Sequence, residues 1–229
     1  MSLRTGAGSP GPVRMGKGGH MSGRIITTDA CVAEGALWLG RAEPRFAQAL
    51  LLTGILPLRR SAGGFEALFD AIIGQQVSVA SAVATGRRLQ AAGLMQRSAV
   101  ALASDEELRA CGLSRQKIRY GKALAAADLD FDGLVVLSDD AVVATLVAIP
   151  GIGRWTAEIY AMFSLGRADV FAPGDLAMQE AARLLFGLEA RPSERQFRSM
   201  AEAWQPWRAV AARLLWAYYA VAKSREGIK

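Results

Sequence analysis

The stretch "LVAIPGIGRWTAEIY", residues 146–160, constrains this chain more than any other. It sets Pro150-Gly151-Ile152-Gly153 between two apolar runs of helical spacing. The residue before a proline is driven out of the α region, so a helix over 139–148 ends at Ile149. Gly151 and Gly153 can take backbone angles that other residues reach only at a cost. The next helix begins near Arg154, and its first amides have no acceptor within the helix. The spacing therefore predicts two helices joined by a turn of outward-pointing N–H groups. Beside the positive end of a helix, such a turn suits a phosphate. A tight helix–helix turn that binds nothing meets the same spacing.

The rest of the chain reads in the same way. Apolar residues recur at three and four near 45–53, 65–73, 77–92, 104–111, 115–128, 139–148, 154–165, 176–187, 194–203 and 206–223. Ser104-Asp105-Glu106-Glu107 and Ser193-Glu194-Arg195-Gln196 fit the capping box, and Ser114 and Ser138 fit as N-caps. Gly54, Gly93, Gly112 and Gly187 stand where helices should stop. Strand signals are weak, at Arg24–Thr28 and Gly133–Leu137. The expectation is an all-α fold of about ten helices with little or no β structure.

Composition narrows the chemistry. Hydrophobic residues make up 52% of the 229, ample for a core, yet no apolar run is long enough for a membrane span. No secretory signal pattern opens the chain. The two cysteines, Cys31 and Cys111, form no metal-ligand pair, so an iron–sulfur cluster and a disulfide framework are not expected. A reducing cytoplasm or nucleoid is the natural compartment. Residues 1–24 hold Arg4, Arg14, Lys17 and Arg24 without an acid, which accounts for four of the six net positive charges. That glycine- and serine-rich stretch is expected to be a disordered tail, with the folded core spanning 25–229. Nucleic acid would therefore be met by a local basic face, such as Arg109, Arg115, Lys117, Arg119 and Lys122. The only histidine, His20, lies in the tail, so histidine-based triads, general bases and metal sites are excluded from the body.

The segment "IPGIGRWTA" resembles the hairpin of the helix-hairpin-helix (HhH-GPD) DNA glycosylase superfamily, and "DVFAPGDLAMQEAARLLFG" at 169–187 resembles the second half of its signature. Further likenesses are "FEALFDAIIGQQVSVASA" at 65–82, "CGLSRQKIRYGKALA" at 111–125 and "AEAWQPWRAVAARLLWAYY" at 201–219. Together they cover roughly 60–223 and point to the AlkA-type 3-methyladenine DNA glycosylase II group. The resemblance implies a two-lobed helical core with a cleft between the lobes. It also implies a monomer acting on double-stranded DNA that contains damaged bases. Residues 25–60 are too few and too helical for the additional N-terminal α/β domain of larger relatives, so a compact version is expected.

The resemblance also assigns roles. Asp175 would be the catalytic carboxylate, stabilising a sugar of oxocarbenium character after the base is flipped out. Read without the family, the same residue is an N-cap, and the two roles are compatible. Asp169 is the nearby rival, read as a loop residue. Trp155 and Trp216 would line the base pocket, where an electron-rich ring suits a cationic alkylated base. Trp204 and Trp207 would pack in the core. Ile159 and Leu176 replace pocket tyrosines of relatives and imply a wider, less aromatic pocket. Gly151, Gly153, Arg154, Thr156, Ser114 and Lys117 would meet the DNA backbone. Gln75 and Gln76 fall in the intercalating loop, where Gln76 departs from the family's apolar wedge. The carbonyls of Val147, Ile149 and Ile152 would hold a sodium or potassium ion bridging to a phosphate. No cofactor is expected for the chemistry itself.

Two other readings stay open here: another superfamily member acting on oxidised or mismatched bases, and a non-catalytic hairpin module. Bifunctional members carry a lysine where this chain has Trp155, and an indole cannot form a Schiff base with the sugar. Borohydride treatment during turnover is accordingly expected to trap no covalent protein–DNA adduct. A trapped adduct on a denaturing gel would refute the monofunctional reading.

Overall fold

The structure, a computed structural model, describes residues 23–226. Among them lie twelve α-helices and no sheet. The helices are α1 (Asp29–Ala42), α2 (Pro44–Thr53), α3 (Gly64–Gly74), α4 (Val79–Ala91), α5 (Arg97–Leu102), α6 (Asp105–Ala110), α7 (Arg115–Ala126), α8 (Asp139–Val147), α9 (Arg154–Phe163), α10 (Leu176–Phe186), α11 (Glu194–Met200) and α12 (Arg208–Glu226). The tail expected to be disordered, including His20, lies outside the described residues apart from its last two. Arg24 belongs to the fold: its carbonyl accepts from the Ala168 amide, and its guanidinium lies 4.6 Å from the Trp207 ring centroid.

Two helices go beyond the ten read from periodicity, α1 and α5. In α1 the apolar pattern is interrupted by Gly35 and Gly40; Gly35 lies so close to Trp207 that a Cβ would come within 2.7 Å of the ring. Helix α5 has only six residues and, unlike the equally short α6 with its capping box at Ser104, no side-chain cap to mark its start. The two weak strand signals resolve differently. Ile25 makes one antiparallel bridge to Arg167, whereas Gly133–Val136 is a 3-10 turn. Buried Arg167 holds that turn by donating to the Leu134, Val135 and Leu137 carbonyls at 3.1, 2.9 and 2.9 Å.

The helices pack as two lobes. The ends of the chain form one, with α12 against α1, α2 and α10; the middle forms the other, with α3 against α4, α7 and α9, and α8 against α9. A single apolar core runs through both. Trp204 and Trp207 are buried, and Phe46 and Phe171 meet Trp204 edge-on at 5.1 and 5.5 Å. Both capping boxes form, at Ser104 and Ser193.

Helix α3 is the element that the site depends on, and it is tethered at both ends. Its first amide, Gly64 N–H, donates to the hydroxyl of Tyr160 on α9 at 2.8 Å. At its C-terminus, where carbonyls lack in-helix donors, Lys117 Nζ donates to the Ile73 carbonyl at 2.6 Å. The next residue, Gln75, donates from Nε2 to the Gly151 carbonyl at 2.8 Å. The segment leading into α3 is held as well. Buried Arg213 on α12 donates to the Leu58 carbonyl at 3.1 and 2.9 Å. Burial, reinforced by the neighbouring charges of Arg59 and Arg60, lowers the Arg213 pKa to about 10.

Tyr160→Phe leaves the ring in place but strips the α3 amide of its acceptor. Urea denaturation should show a loss of about 1 kcal/mol or more, the usual cost of a part-buried orphan donor.

Candidate active site

Asp175 ends the loop between α9 and α10. That loop is fixed before α10 begins. Asp169 forms a two-bond ion pair with Arg208 at 2.9 and 2.9 Å, and Gln179 Nε2 donates to the Pro173 carbonyl at 2.8 Å. The rival carboxylate is therefore committed to a structural pair. Asp175 itself caps α10, with Oδ1 accepting from the Met178 amide at 3.0 Å. Two indole N–H groups complete its surroundings. Trp155 on α9 donates to Oδ2 at 3.1 Å, and Trp216 on α12 donates to Oδ1 at 3.2 Å. Every one of these contacts uses the carboxylate as an acceptor, the only capacity it has when ionised. The cap reading and the site reading of Asp175 describe the same geometry.

A cavity of about 990 Å³ opens between α3 and α9; Asp175 is not itself on its lining and is joined to it through Trp155. On the α9 side it is lined by Trp155, Thr156, Ile159, Tyr160 and Phe163. Trp155 is 47% exposed, so it is no core tryptophan. Trp216 is not itself on the lining; it is half-buried and packs against Phe163 with ring centroids 5.7 Å apart. Leu176 stands outside the lining, 63% exposed, because it opens α10 on the solvent side of Asp175. The opposite wall was not read from the sequence. It carries Glu66 and Asp70 of α3, with Arg59 and Arg60 from the preceding segment. The available signal was an acid four residues after another within the apolar pattern of α3.

The hairpin carries the turn expected between α8 and α9. Gly151 has φ +94°, and a Cβ there would come within 2.3 Å of the Tyr120 side chain. Gly153 is the N-cap of α9 with an ordinary φ of −80°, and a Cβ there would meet nothing. The two glycines are therefore present for different reasons. Gly151 lets the turn close against α7, while Gly153 leaves the start of α9 bare.

Several other candidates also hold contacts within the protein. Thr156 is buried on the cavity wall, since the third residue of α9 already faces inward. Lys117 caps α3, and burial lowers its pKa. Ser114 caps α7 and accepts from the Lys117 amide at 3.3 Å. Arg154 stays half exposed but pairs with Glu158 at 3.0 Å, and Glu158 is buried beneath it and also takes Arg198 at 2.9 Å. In the basic cluster, Lys122 is paired with Asp105 at 2.8 Å and Arg109 with Glu106 at 3.8 Å. Gln75 is tied to the hairpin, whereas Gln76 is exposed in a left-handed conformation, φ +56°. The Val147 carbonyl ends α8, where helix carbonyls lack in-helix donors, and the Ile149 carbonyl accepts from the Ile152 amide at 3.0 Å.

Residues 69–208 match the HhH-GPD superfamily of base excision DNA repair proteins, and the chain belongs to that superfamily. It is 31% identical over 200 residues to DNA-3-methyladenine glycosylase 2 of Escherichia coli, covering 81% of this chain and 65% of that protein. The crystal structure of DNA-3-methyladenine glycosidase from Bacillus halodurans superposes with a TM-score of 0.75 at 31% identity, covering 88% of this chain and 94% of that one. The Schizosaccharomyces pombe 3-methyladenine DNA glycosylase in complex with abasic DNA gives a TM-score of 0.69 at 29% identity, covering 80% and 95%. The chain spans about half the length of the curated relatives it matches.

The hairpin glycines separate experimentally. Gly151→Ala should cost about 1–3 kcal/mol, since a positive φ and a steric clash act together. Gly153→Ala should cost under about 1 kcal/mol, the difference between glycine and alanine at an N-cap, while weakening DNA binding. Thermal melts and fluorescence anisotropy on a duplex measure the two effects. Equal melting temperatures for both variants would contradict the division.

Proposed function

We propose that the chain is a monofunctional DNA glycosylase that releases alkylated bases of the 3-methyladenine and 7-methylguanine type from double-stranded DNA. The observation that carries this reading is the Asp175 carboxylate, gripped by a backbone amide and two indoles, one of which, Trp155, lines the cavity between α3 and α9. The names of the relatives support the same substrate class.

The geometry suggests how the steps would run. The bare start of α9 at Gly153 takes a phosphate of the damaged strand on its unpaired amides. The target nucleotide turns out of the stack, and its base enters the cavity against Trp155. Gln76 at its exposed tip is the residue best placed to enter the duplex. The bond between the sugar and the base nitrogen then breaks, and its electron pair leaves with the base. Positive charge develops on the sugar, and Asp175 stabilises it electrostatically. Water adds to the sugar carbon and gives up a proton to the solvent, yielding the free base and an abasic site. A base that already carries positive charge is a good leaving group, so a single carboxylate suffices. The indole donors fix where that carboxylate points but take no proton.

The hairpin also suits the monovalent cation that the family implies. The Val147, Ile149 and Ile152 carbonyls are neutral oxygen donors beside the C-terminal end of α8, a donor type that hard cations prefer. When bound there, a sodium or potassium ion would supply positive charge toward a phosphate. A non-catalytic hairpin module would have no use for the indole-held carboxylate. The chain is proposed to act as a monomer.

Asp175→Asn is expected to reduce single-turnover base release from methylated duplex by about a hundredfold or more, the scale of removing one preorganised electrostatic stabiliser. Trp216→Phe, which keeps a ring but removes one donor, should cost about tenfold. Duplex affinity should persist in both. Undiminished release by Asp175→Asn would sink the mechanism.

A further inference from the structure

We propose that Asp70 selects positively charged bases, its carboxylate meeting the cationic edge of an alkylated base held in the cavity between α3 and α9. The inference rests on the glycosylase reading and goes further by naming the residue on the far wall that distinguishes cationic from neutral bases.

Helix α3 turns one face to the cavity. Glu66, Asp70 and Gly74 follow at four-residue spacing, with Ala67 and Ala71 between them, and all five line the space. The facing wall on α9 is largely apolar, formed by Trp155, Ile159 and Phe163. A flat ring lying against α9 therefore meets carboxylates across the cavity, flanked by side chains no larger than a methyl group. The two acids are not equivalent. Glu66 is engaged by the side-chain amide of Gln96. Asp70 is exposed to the cavity and has no hydrogen bond or ion pair among the described residues, although Arg59 and Arg60 line the same cavity. Burial, with the Glu66 charge as a smaller contribution, raises its pKa above the ordinary aspartate value, as befits an anion short of partners.

A carboxylate open to the cavity, with no donor from the protein itself, favours a ligand that brings both charge and N–H donors. An adenine, guanine or cytosine alkylated at a ring nitrogen that carries no hydrogen brings both, through its delocalised positive charge and its exocyclic amine. Unmodified adenine, guanine and cytosine bring the amine alone, and thymine brings neither. Trp155 attracts the same cation by its ring face, so the two walls act together, one on the face of the base and one across from it.

The test compares wild type, Asp70→Asn and Asp70→Glu by single-turnover release of 7-methylguanine from duplex DNA. Affinity for a duplex containing a tetrahydrofuran abasic analogue, which places no base in the cavity, is measured in parallel, together with melting temperature. Asp70→Asn should release the base about tenfold or more slowly, the scale of one charge-assisted contact, with abasic-duplex affinity and melting temperature unchanged. Asp70→Glu should recover part of the rate by restoring the charge. Release by Asp70→Asn within twofold of wild type overturns the inference and leaves the glycosylase reading standing. A matching fall in abasic-duplex affinity also overturns it, by showing that Asp70 serves the DNA or the fold instead. If wild type releases no alkylated base, the glycosylase reading fails and takes this inference with it.

Discussion

The carboxylate of Asp175 is where three helices agree on one point in space. It caps α10, takes an indole N–H from α9 in the middle lobe and takes another from α12 in the end lobe. Each bond is modest alone, yet together they define the seam between lobes from both sides. A side chain held by three donors from three elements cannot drift without disturbing all of them. A carboxylate used for electrostatic stabilisation needs that property, because its benefit depends on already pointing where charge will develop. The bidentate Asp169–Arg208 pair serves the same end by fixing the loop that delivers Asp175.

The second constraint is the position of α3. A cavity between two helices survives only if something keeps them apart and aligned. Here Tyr160 holds one end of α3, while Gln75 and Lys117 hold the other. The Gln75 bond also ends on the hairpin carbonyl of Gly151, so the cavity wall and the proposed phosphate turn share a strut. Under the proposed function, a strain imposed at the hairpin by DNA would therefore reach the wall that faces the base.

How much of this was legible in the sequence depends on whether the signal was local. The hairpin was legible because proline and glycine act on their own backbone, and Gly151 takes the positive φ that a turn of this kind demands. The Asp175 cap was legible because a Pro-Gly-Asp run before an apolar period is a local pattern. The two indole bonds to Asp175 were not, since they join residues 20 and 41 positions away. Lys117 and Gln75 look like DNA contacts in sequence because a basic or amide side chain near a loop is normally solvated. In the fold they satisfy the end of α3 and the hairpin, a demand that only tertiary packing creates. Thr156 shows the same limit at the scale of one helix turn: the hairpin motif extends to it, but the rotation of α9 turns it into the cavity.

The cavity itself divides its work by wall. The α9 wall offers faces, through Trp155 and Phe163, and the α3 wall offers charge, through Glu66 and Asp70. Stacking surfaces tolerate many ring shapes, whereas an anion across from them is sensitive to the charge of the ring rather than its outline. Under the proposed function this arrangement would sort bases by damage type more than by identity, since alkylation at any ring nitrogen that carries no hydrogen gives the same positive charge whichever base is hit. Breadth among cationic lesions and rejection of the unmodified bases then follow from one physical property, without a hydrogen-bonding template for any single base.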